Sequence, residues 1–146
     1  MTDLVNGQCL CGAVKMQGHG DIVLNACHCQ MCQRWHGGPS LAANFDDGIT
    51  ITEGADNVGW FTSSDWGERG FCKTCGSTLF WRLREDPSVL SGEAGSFALP
   101  SGLEIKEHFF VGEQPDYYAF QGDGVRLTGA EVFARYGMEP PEKTND

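Results

Sequence analysis

The sequence predicts an all-β protein with mainly antiparallel sheets and one short helix near the C-terminus. Short apolar or β-branched segments recur between turn-forming residues, and 20 glycines and 6 prolines are spread over the 146 residues. Such a pattern is typical of hairpins rather than of helices. A chain of this length is expected to form a single domain. We place this domain at residues 1–137 and a polar tail at 138–146.

Eight segments are predicted to be strands, because each combines apolar or β-branched residues between turn signals. They are residues 13–17, 22–25, 41–45, 49–52, 58–62, 78–83, 103–111 and 117–121. Turn formers such as Asp46-Asp47-Gly48 separate them. Most connections are short, which favours a sheet built from hairpins.

One helix is predicted, between residues 128 and 137. Thr128 and Glu131 have the spacing of a capping box, apolar residues from Val132 to Tyr136 recur at helical spacing, and Gly137 can end the helix. Residues 140–146 are polar and have little to bury, so we expect a frayed end.

The charge balance bears on possible partners. Twenty acidic and ten basic residues give a net charge of −10, which opposes nonspecific attraction to nucleic acid and to anionic lipid. No apolar run reaches the roughly 18 residues of a membrane span. The N-terminal segment has no basic start followed by an apolar stretch, so we expect a cytoplasmic protein. A reducing cytosol favours metal binding or catalysis as the use of its cysteines.

The seven cysteines fall into three groups, which are Cys9-x-Cys11, Cys27-x-Cys29-x-x-Cys32 and Cys72-x-x-Cys75. A structural zinc site supplies four protein ligands, whereas a catalytic site supplies three and leaves one position open. Seven thiols therefore match two zinc ions, one with four cysteine ligands and one with only three. The odd number also argues against a complete disulfide framework.

The two cysteine pairs are predicted to share one structural ion. Cys9 and Cys11 point to the same side of an extended segment, and Cys72 and Cys75 have the spacing of a zinc knuckle. A glycine follows each pair directly and allows a left-handed backbone at little cost. An ion bound by all four would join distant parts of the chain and contribute to folding.

The triplet Cys27, Cys29 and Cys32 is predicted to hold the second ion, whose fourth ligand is left open. The candidates are His28, His36, His108 and Asp65. His28 should face away from the ion if the segment is extended, and His108 is better explained as a hydrogen-bonded structural histidine. The competing interpretation is that both ions are fully coordinated and purely structural.

Three motifs resemble the glutathione-dependent formaldehyde-activating enzyme family, also called the centromere-protein-V type. They are Gly7-Gln8-Cys9-Leu10-Cys11-Gly12, then Cys27-His28-Cys29-Gln30-Met31-Cys32 with Gly37-Gly38-Pro39, and finally residues 69–77 leading into Leu79-Phe80-Trp81. The similarity extends over about residues 7–121. It implies a zinc-stabilised β-tent fold, a structural zinc on Cys9, Cys11, Cys72 and Cys75, and an open zinc on Cys27, Cys29 and Cys32. Gln33 and the bulky Trp35-His36 pair depart from the family pattern after the triplet.

The activity that this resemblance implies is a carbon–sulfur lyase-type reaction, the condensation of glutathione with formaldehyde to S-hydroxymethylglutathione. The partners would be a small thiol and an aldehyde. An open zinc favours the thiolate form of a bound thiol, or polarises a carbonyl as a Lewis acid, and the sequence leaves both possibilities open.

Four further residues are candidates for this site. His36 is a candidate proton shuttle, Arg34 and Arg69 a carboxylate clamp, and Trp35 a pocket wall or a cover over the metal. Each has a simpler explanation as a surface or packing residue, and Phe71, Leu79, Phe80 and Trp81 are assigned to the core.

Two alternative functions remain at this point. One is a noncatalytic zinc module that binds a protein partner in a chaperone-like way, since fold similarity does not transmit activity. The other is a redox sensor in which Cys27, Cys29 and Cys32 release zinc on oxidation.

Overall fold

The computed structural model describes residues 4–140, which form two compact units. Within this range the first unit comprises residues 4–24 and 41–103, and the second comprises residues 25–40 and 104–140. The single domain at residues 1–137 stays a prediction. Residues 141–146 of the tail, with most of its predicted frayed end, lie outside the described residues.

The prediction of an all-β fold is confirmed, with two short helices added to the strands. The strands are β1 (Leu4–Gln8), β2 (Lys15–His19), β3 (Ile22–Cys27), β4 (Ser40–Phe45), β5 (Ile49–Glu53), β6 (Val58–Thr62), β7 (Gly67–Cys72), β8 (Thr78–Leu83), β9 (Leu90–Glu93), β10 (Ile105–Phe109) and β11 (Val125–Leu127). The helices are α1 (Gln30–His36) and α2 (Gly129–Arg135). In the described part of the chain, no helix has the length and apolar character needed to cross a membrane.

The first unit contains antiparallel strands that surround an apolar core. Strands β1, β2 and β5 lie side by side in that order, and β4, β9, β8, β7 and β6 follow one another in a second set. The core includes Val14, Met16, Leu79 and Phe80, each at most 1% exposed. Burial of such side chains contributes roughly 1.5–3 kcal/mol each, so this packing holds the ends of β1 and β7 in place.

Strand β7 depends on glycines that lie beneath aromatic rings of the neighbouring strands. Gly70 is opposite Trp60 of β6, and a Cβ at this glycine would lie 2.9 Å from the indole ring. Trp81 of β8 covers Gly67 in the same way, and a Cβ at Gly67 would lie 2.8 Å from its indole ring. Glycine usually weakens a strand, but here its missing side chain makes room for a ring that shields the backbone.

The second unit contains β10, β11 and the two helices. Strands β10 and β11 pair in parallel. Helix α2 begins at Thr128 with the predicted capping box to Glu131, and Gly137 after it has a φ of 64°. The predicted C-terminal helix is therefore confirmed. Its Phe133 packs edge-on against Phe110 at 5.5 Å between ring centroids.

Several sequence-based assignments differ from the structure. Residues 117–121 were predicted to be a strand, which is wrong, because Tyr118 and Phe120 lie in turn and irregular structure and pack their rings around two buried histidines. The sequence analysis also missed β1, β7, β9, β11 and α1. The other seven predicted strands overlap observed ones.

Gly54 and Gly48 provide a matched test of backbone packing in the first unit. Both have a left-handed φ, of 75° and 89°, but a Cβ at Gly54 would lie 2.0 Å from the Ala13 carbonyl oxygen whereas one at Gly48 meets nothing within 4 Å. We expect Gly48→Ala to lower the free energy of unfolding by about 1–2 kcal/mol, the cost of the left-handed conformation. Gly54→Ala should lower the free energy of unfolding clearly further, because the backbone at Ala13 must move to make room for the new Cβ. Urea unfolding of the two variants measures the difference, and equal losses would contradict this packing.

Candidate metal centres

The first cysteine cluster brings together the two predicted pairs. Cys9 follows β1, Cys72 ends β7, and Cys11 and Cys75 lie in the adjoining turns. The four sulfur atoms lie within 4.8 Å of one another. The glycines after the pairs, Gly12 and Gly76, have φ values of 81° and 80°, so the chain turns around the cluster as the sequence predicts.

The sulfur spacing fits a tetrahedral thiolate-bound cation. Cys9 Sγ lies 3.6 Å from Cys11 Sγ, which lies 3.8 Å from Cys72 Sγ. A tetrahedron with Zn–S bonds of about 2.3 Å has sulfur atoms about 3.8 Å apart. The first cluster therefore has the donor set and the dimensions of a structural zinc site.

Hydrogen-bond donors surround these sulfur atoms. The Val14 backbone N–H donates to Cys9 Sγ at 3.3 Å, and Asn57 Nδ2 donates to Cys72 Sγ at 3.4 Å. The Ser77 hydroxyl, 3.1 Å from Cys75 Sγ, is the main cause that lowers the pKa of this thiol to about 5. Donors around a ligand favour its ionised form and fix its orientation.

The second cluster is built at the start of helix α1, entirely within the second unit. Cys27 ends β3, Cys29 is the N-cap of α1, and Cys32 lies in its first turn. Cys29 Sγ accepts the Cys32 backbone N–H at 3.3 Å. The helix thus orders two of the sulfur atoms, and all three lie within 4.8 Å of one another.

The electrostatics of this triplet favour a bound cation. Cys29 and Cys32, together with burial, hold the pKa of Cys27 far above its usual range. Neighbouring thiolates repel one another, and a metal ion removes that penalty by drawing off the protons. Cys29 and Cys32 are buried, whereas Cys27 has intermediate exposure.

The triplet has three donors, whereas the first cluster has four. Among residues 4–140, no histidine, cysteine, aspartate or glutamate joins Cys27, Cys29 and Cys32 as a fourth donor. His36 lies in the last turn of α1, and Asp65 belongs to the first unit. None of the predicted fourth-ligand candidates is therefore grouped with the triplet.

His28 faces away from its neighbouring cysteines, as predicted for an extended segment. Hydrogen bonds fix both its side chain and its backbone. Its Nδ1 lies 2.9 Å from the Tyr118 hydroxyl and its Nε2 lies 3.1 Å from His108 Nδ1. Its backbone N–H donates to the Phe109 carbonyl at 2.9 Å. Burial, with smaller effects of His108 and Arg126, lowers the pKa of His28 to about 4. His108 is likewise a buried, hydrogen-bonded histidine, as expected.

Gln33 and Glu113 fix the position of helix α1. The Gln33 amide donates to the His28 carbonyl at 2.7 Å and to the Glu113 carbonyl at 2.9 Å. The Glu113 carboxylate accepts the Gln30 backbone N–H at 3.0 Å. Gln33, which departs from the family pattern, therefore ties the segment that carries the triplet to the loop after β10.

The predicted substrate residues lie on two different elements. Arg34, Trp35 and His36 are on α1 in the second unit, whereas Arg69 is in β7 of the first unit and is 5% exposed. Trp35 and His36 follow Cys32 by three and four residues and lie on its side of the helix. Arg34 follows by two residues and is exposed on another side.

The fold and these two centres define an all-β protein with a four-cysteine and a three-cysteine cluster, each of which could hold a metal ion. The family model for the glutathione-dependent formaldehyde-activating enzyme matches residues 4–113. The chain belongs to this family.

Curated relatives carry names of the same kind. An uncharacterized lyase of Schizosaccharomyces pombe is 29% identical over 127 residues, which cover 86% of this chain and 92% of that protein. A protein of Halomonas elongata, named provisionally as a glutathione-dependent formaldehyde-activating enzyme, is 30% identical over 125 residues, 78% of this chain and 79% of its own. A crystal structure of a Rhodobacter sphaeroides protein matches with a TM-score of 0.48 and 21% identity, covering 84% of this chain and 99% of that one.

Proposed function

We propose that this protein is a zinc-dependent enzyme of the carbon–sulfur lyase type that condenses a small thiol with an aldehyde. Glutathione and formaldehyde are the substrates that the family description supports. The observation that carries the proposal is the difference between the two cysteine centres. Four donors complete a structural site, whereas three leave a position for a reactant.

The reaction needs no electron transfer. A carbon–sulfur bond forms between the thiol sulfur and the aldehyde carbon, and the sulfhydryl proton ends on the former carbonyl oxygen as a hydroxyl group. A zinc ion bound at the second centre supplies a Lewis acid that favours the thiolate form of the thiol or polarises the carbonyl. Cys27, Cys29 and Cys32 hold this ion, and Cys9, Cys11, Cys72 and Cys75 hold the structural one.

Residues of α1 are proposed to serve the substrates. His36 lies on the same side of the helix as Cys32, where an imidazole can take up and return the proton of a bound thiol. Trp35, on that side too, forms a wall of the site. Arg34 is exposed, and its guanidinium would bind a substrate carboxylate through two hydrogen bonds. The role assigned to Arg69 in substrate binding stays a prediction.

The proposed compartment is the cytoplasm. Two thiolate centres require seven reduced cysteines, and a glutathione-buffered compartment keeps thiols reduced and supplies the proposed substrate.

The experiment that tests the proposed function measures the exchange between glutathione and S-hydroxymethylglutathione at equilibrium by NMR. This readout separates catalysis from the spontaneous reaction. We expect catalytic amounts of the zinc-loaded protein to accelerate exchange well above the buffer rate. Parallel samples with cysteine and with 2-mercaptoethanol show how far the acceleration depends on the structure of the thiol. No acceleration with any of the three thiols would contradict the proposal.

A further inference from the structure

Helix α1 depends on a contact made by a distant segment of the chain. It has only seven residues, Gln30–His36, and a helix of this length is marginal by itself in water. Helix α2 has the same length but begins with its own capping box, in which Glu131 accepts the Thr128 backbone N–H at 2.9 Å. The comparable bond of α1 comes from Glu113, whose carboxylate accepts the Gln30 backbone N–H at 3.0 Å. The start of α1 is thus held from 83 residues away.

Glu113 and Gln33 together hold a direct neighbour of every cysteine in the triplet. The Gln33 amide donates to the carbonyl of His28, which joins the first two cysteines, at 2.7 Å. Glu113 binds Gln30, which follows the second cysteine, and Gln33 itself follows the third. The Gln33 amide also donates to the Glu113 carbonyl at 2.9 Å. The two residues therefore hold each other as well as the segment that carries the three sulfur atoms.

The turn that carries Glu113 is packed against helix α2. Phe110 has a φ of 60° and is the one non-glycine residue with a positive φ among residues 4–140. This conformation costs free energy and persists only where the surroundings hold it. The Phe110 ring packs edge-on against Phe133, and a Cβ at Gly129 would lie 2.9 Å from that ring. Because the Glu113 backbone N–H donates to the Phe110 carbonyl at 3.0 Å, the packed turn sets the position of Glu113.

This support bears on how tightly the triplet binds a metal ion. An ion binds more tightly when its ligands are already in place, because the free energy of ordering them opposes binding. Two of the three sulfur atoms belong to the start of α1, where Cys29 Sγ accepts the Cys32 backbone N–H at 3.3 Å. Contacts that keep α1 formed without the ion therefore add to the affinity for the ion.

We propose that Glu113 and Gln33 are positioning residues of the second centre, which hold the triplet ready for its ion and so set its metal affinity. The inference rests on one part of the proposed function, the zinc ion at the triplet, and not on which thiol or aldehyde reacts. It gives Gln33, a departure from the family pattern, a role in supporting the metal centre.

The zinc affinity of the second centre tests this role. The two-zinc protein is titrated with a chromophoric chelator, and Cys29→Ser, which lacks a ligand of the triplet, shows which of the two ions belongs there. We expect Glu113→Ala to weaken binding of that ion by about 10- to 100-fold, the usual effect of removing an outer partner of a metal site, and to leave the other ion unchanged. Gln33→Ala should act in the same way.

Two further variants separate positioning from charge. Asp116 is exposed and lies three residues after Glu113, so Asp116→Ala removes the same charge from the same loop and should leave the zinc affinity unchanged. Glu113→Gln keeps an oxygen that can accept the Gln30 backbone N–H, and it should recover most of the affinity that Glu113→Ala loses. A glutamine variant as weak as the alanine variant would show that only the charge matters, and would overturn the positioning role.

Hydrogen exchange tests whether α1 is formed before the ion binds. In protein from which the second ion has been removed, NMR reports the Gln33 and Gly37 backbone N–H groups, which donate to the Cys29 and Gln33 carbonyls at 2.9 and 2.7 Å. We expect both groups to stay protected in the wild type and to exchange faster in Glu113→Ala. Unprotected groups in the wild type would mean that the ion itself builds α1, which contradicts the proposal.

The ways of failing are distinguishable. If the wild-type protein holds only one zinc ion, the second centre fails, and with it both the proposed function and this inference. If it holds two, and both Glu113→Ala and Gln33→Ala bind the second ion as tightly as the wild type, the positioning role is overturned while the proposed function stands.

Discussion

We expect Cys72→Ser to leave a protein that unfolds or precipitates. Cys72 is 0% exposed and its sulfur joins β7 to the cysteines after β1. Binding of structural zinc is worth roughly 10–16 kcal/mol in small zinc domains, and the net stability of a whole domain is only about 5–15 kcal/mol. Loss of this ion therefore consumes most or all of the stability. Soluble yield, circular dichroism and bound zinc measure the effect.

Thr74→Ala provides the matched control for that variant. Asn57 Nδ2 donates both to Cys72 Sγ, at 3.4 Å, and to the Thr74 hydroxyl, at 2.9 Å. Thr74→Ala removes a hydrogen bond in the same turn without removing a metal ligand, and should cost only about 0.5–1.5 kcal/mol. A stable, soluble Cys72→Ser protein that retains two zinc ions would show that the pairing of the four cysteines is wrong.

We expect Cys29→Ser to give a folded protein that has lost one of its two ions and all activity. Cys29 is the N-cap of α1 and accepts the Cys32 backbone N–H through its sulfur. Serine is a favourable N-cap, so the hydroxyl takes over this hydrogen bond while the thiolate ligand is lost. The zinc content should fall from two equivalents to one, and the exchange of the thiol adduct should return to the buffer rate.

Cys29→Ala separates the two roles of this residue. Alanine removes both the ligand and the cap, so it should match the serine variant in zinc content and be about 1 kcal/mol less stable. An unfolded Cys29→Ser protein would mean that the triplet is structural too, which was the competing interpretation of the sequence.

The strands that the sequence predicted are those rich in apolar or β-branched residues, such as β6 and β8, whose bounds match. Strand β7 escaped prediction because Gly67 and Gly70 interrupt its pattern, and only the three-dimensional pairing shows that Trp81 and Trp60 cover them. Helix α1 was missed because it is short and begins at a cysteine, which is not a usual capping residue. Residues 117–121 have a strand-like composition, but Tyr118 and Phe120 surround the buried histidines instead.

The grouping of the cysteines within each motif was predictable because it depends on local spacing. The two-residue periodicity of Cys9 and Cys11, the knuckle at Cys72 and the compact triplet each bring their thiols together within a few residues. The contacts of His28 were not predictable, because His108 and Tyr118 lie 80 and 90 residues away in the chain. Nothing in the local sequence around Glu113 indicates that it holds the start of α1.

The most direct test of the open second centre is zinc-edge X-ray absorption of the two-zinc protein, before and after adding 2-mercaptoethanol. Seven cysteine sulfurs shared by two ions predict an average of three and a half sulfur ligands per zinc, with the remainder oxygen. The added thiol should raise this average to four. An imidazole nitrogen that fills the remaining position and persists when the thiol is added would contradict the account.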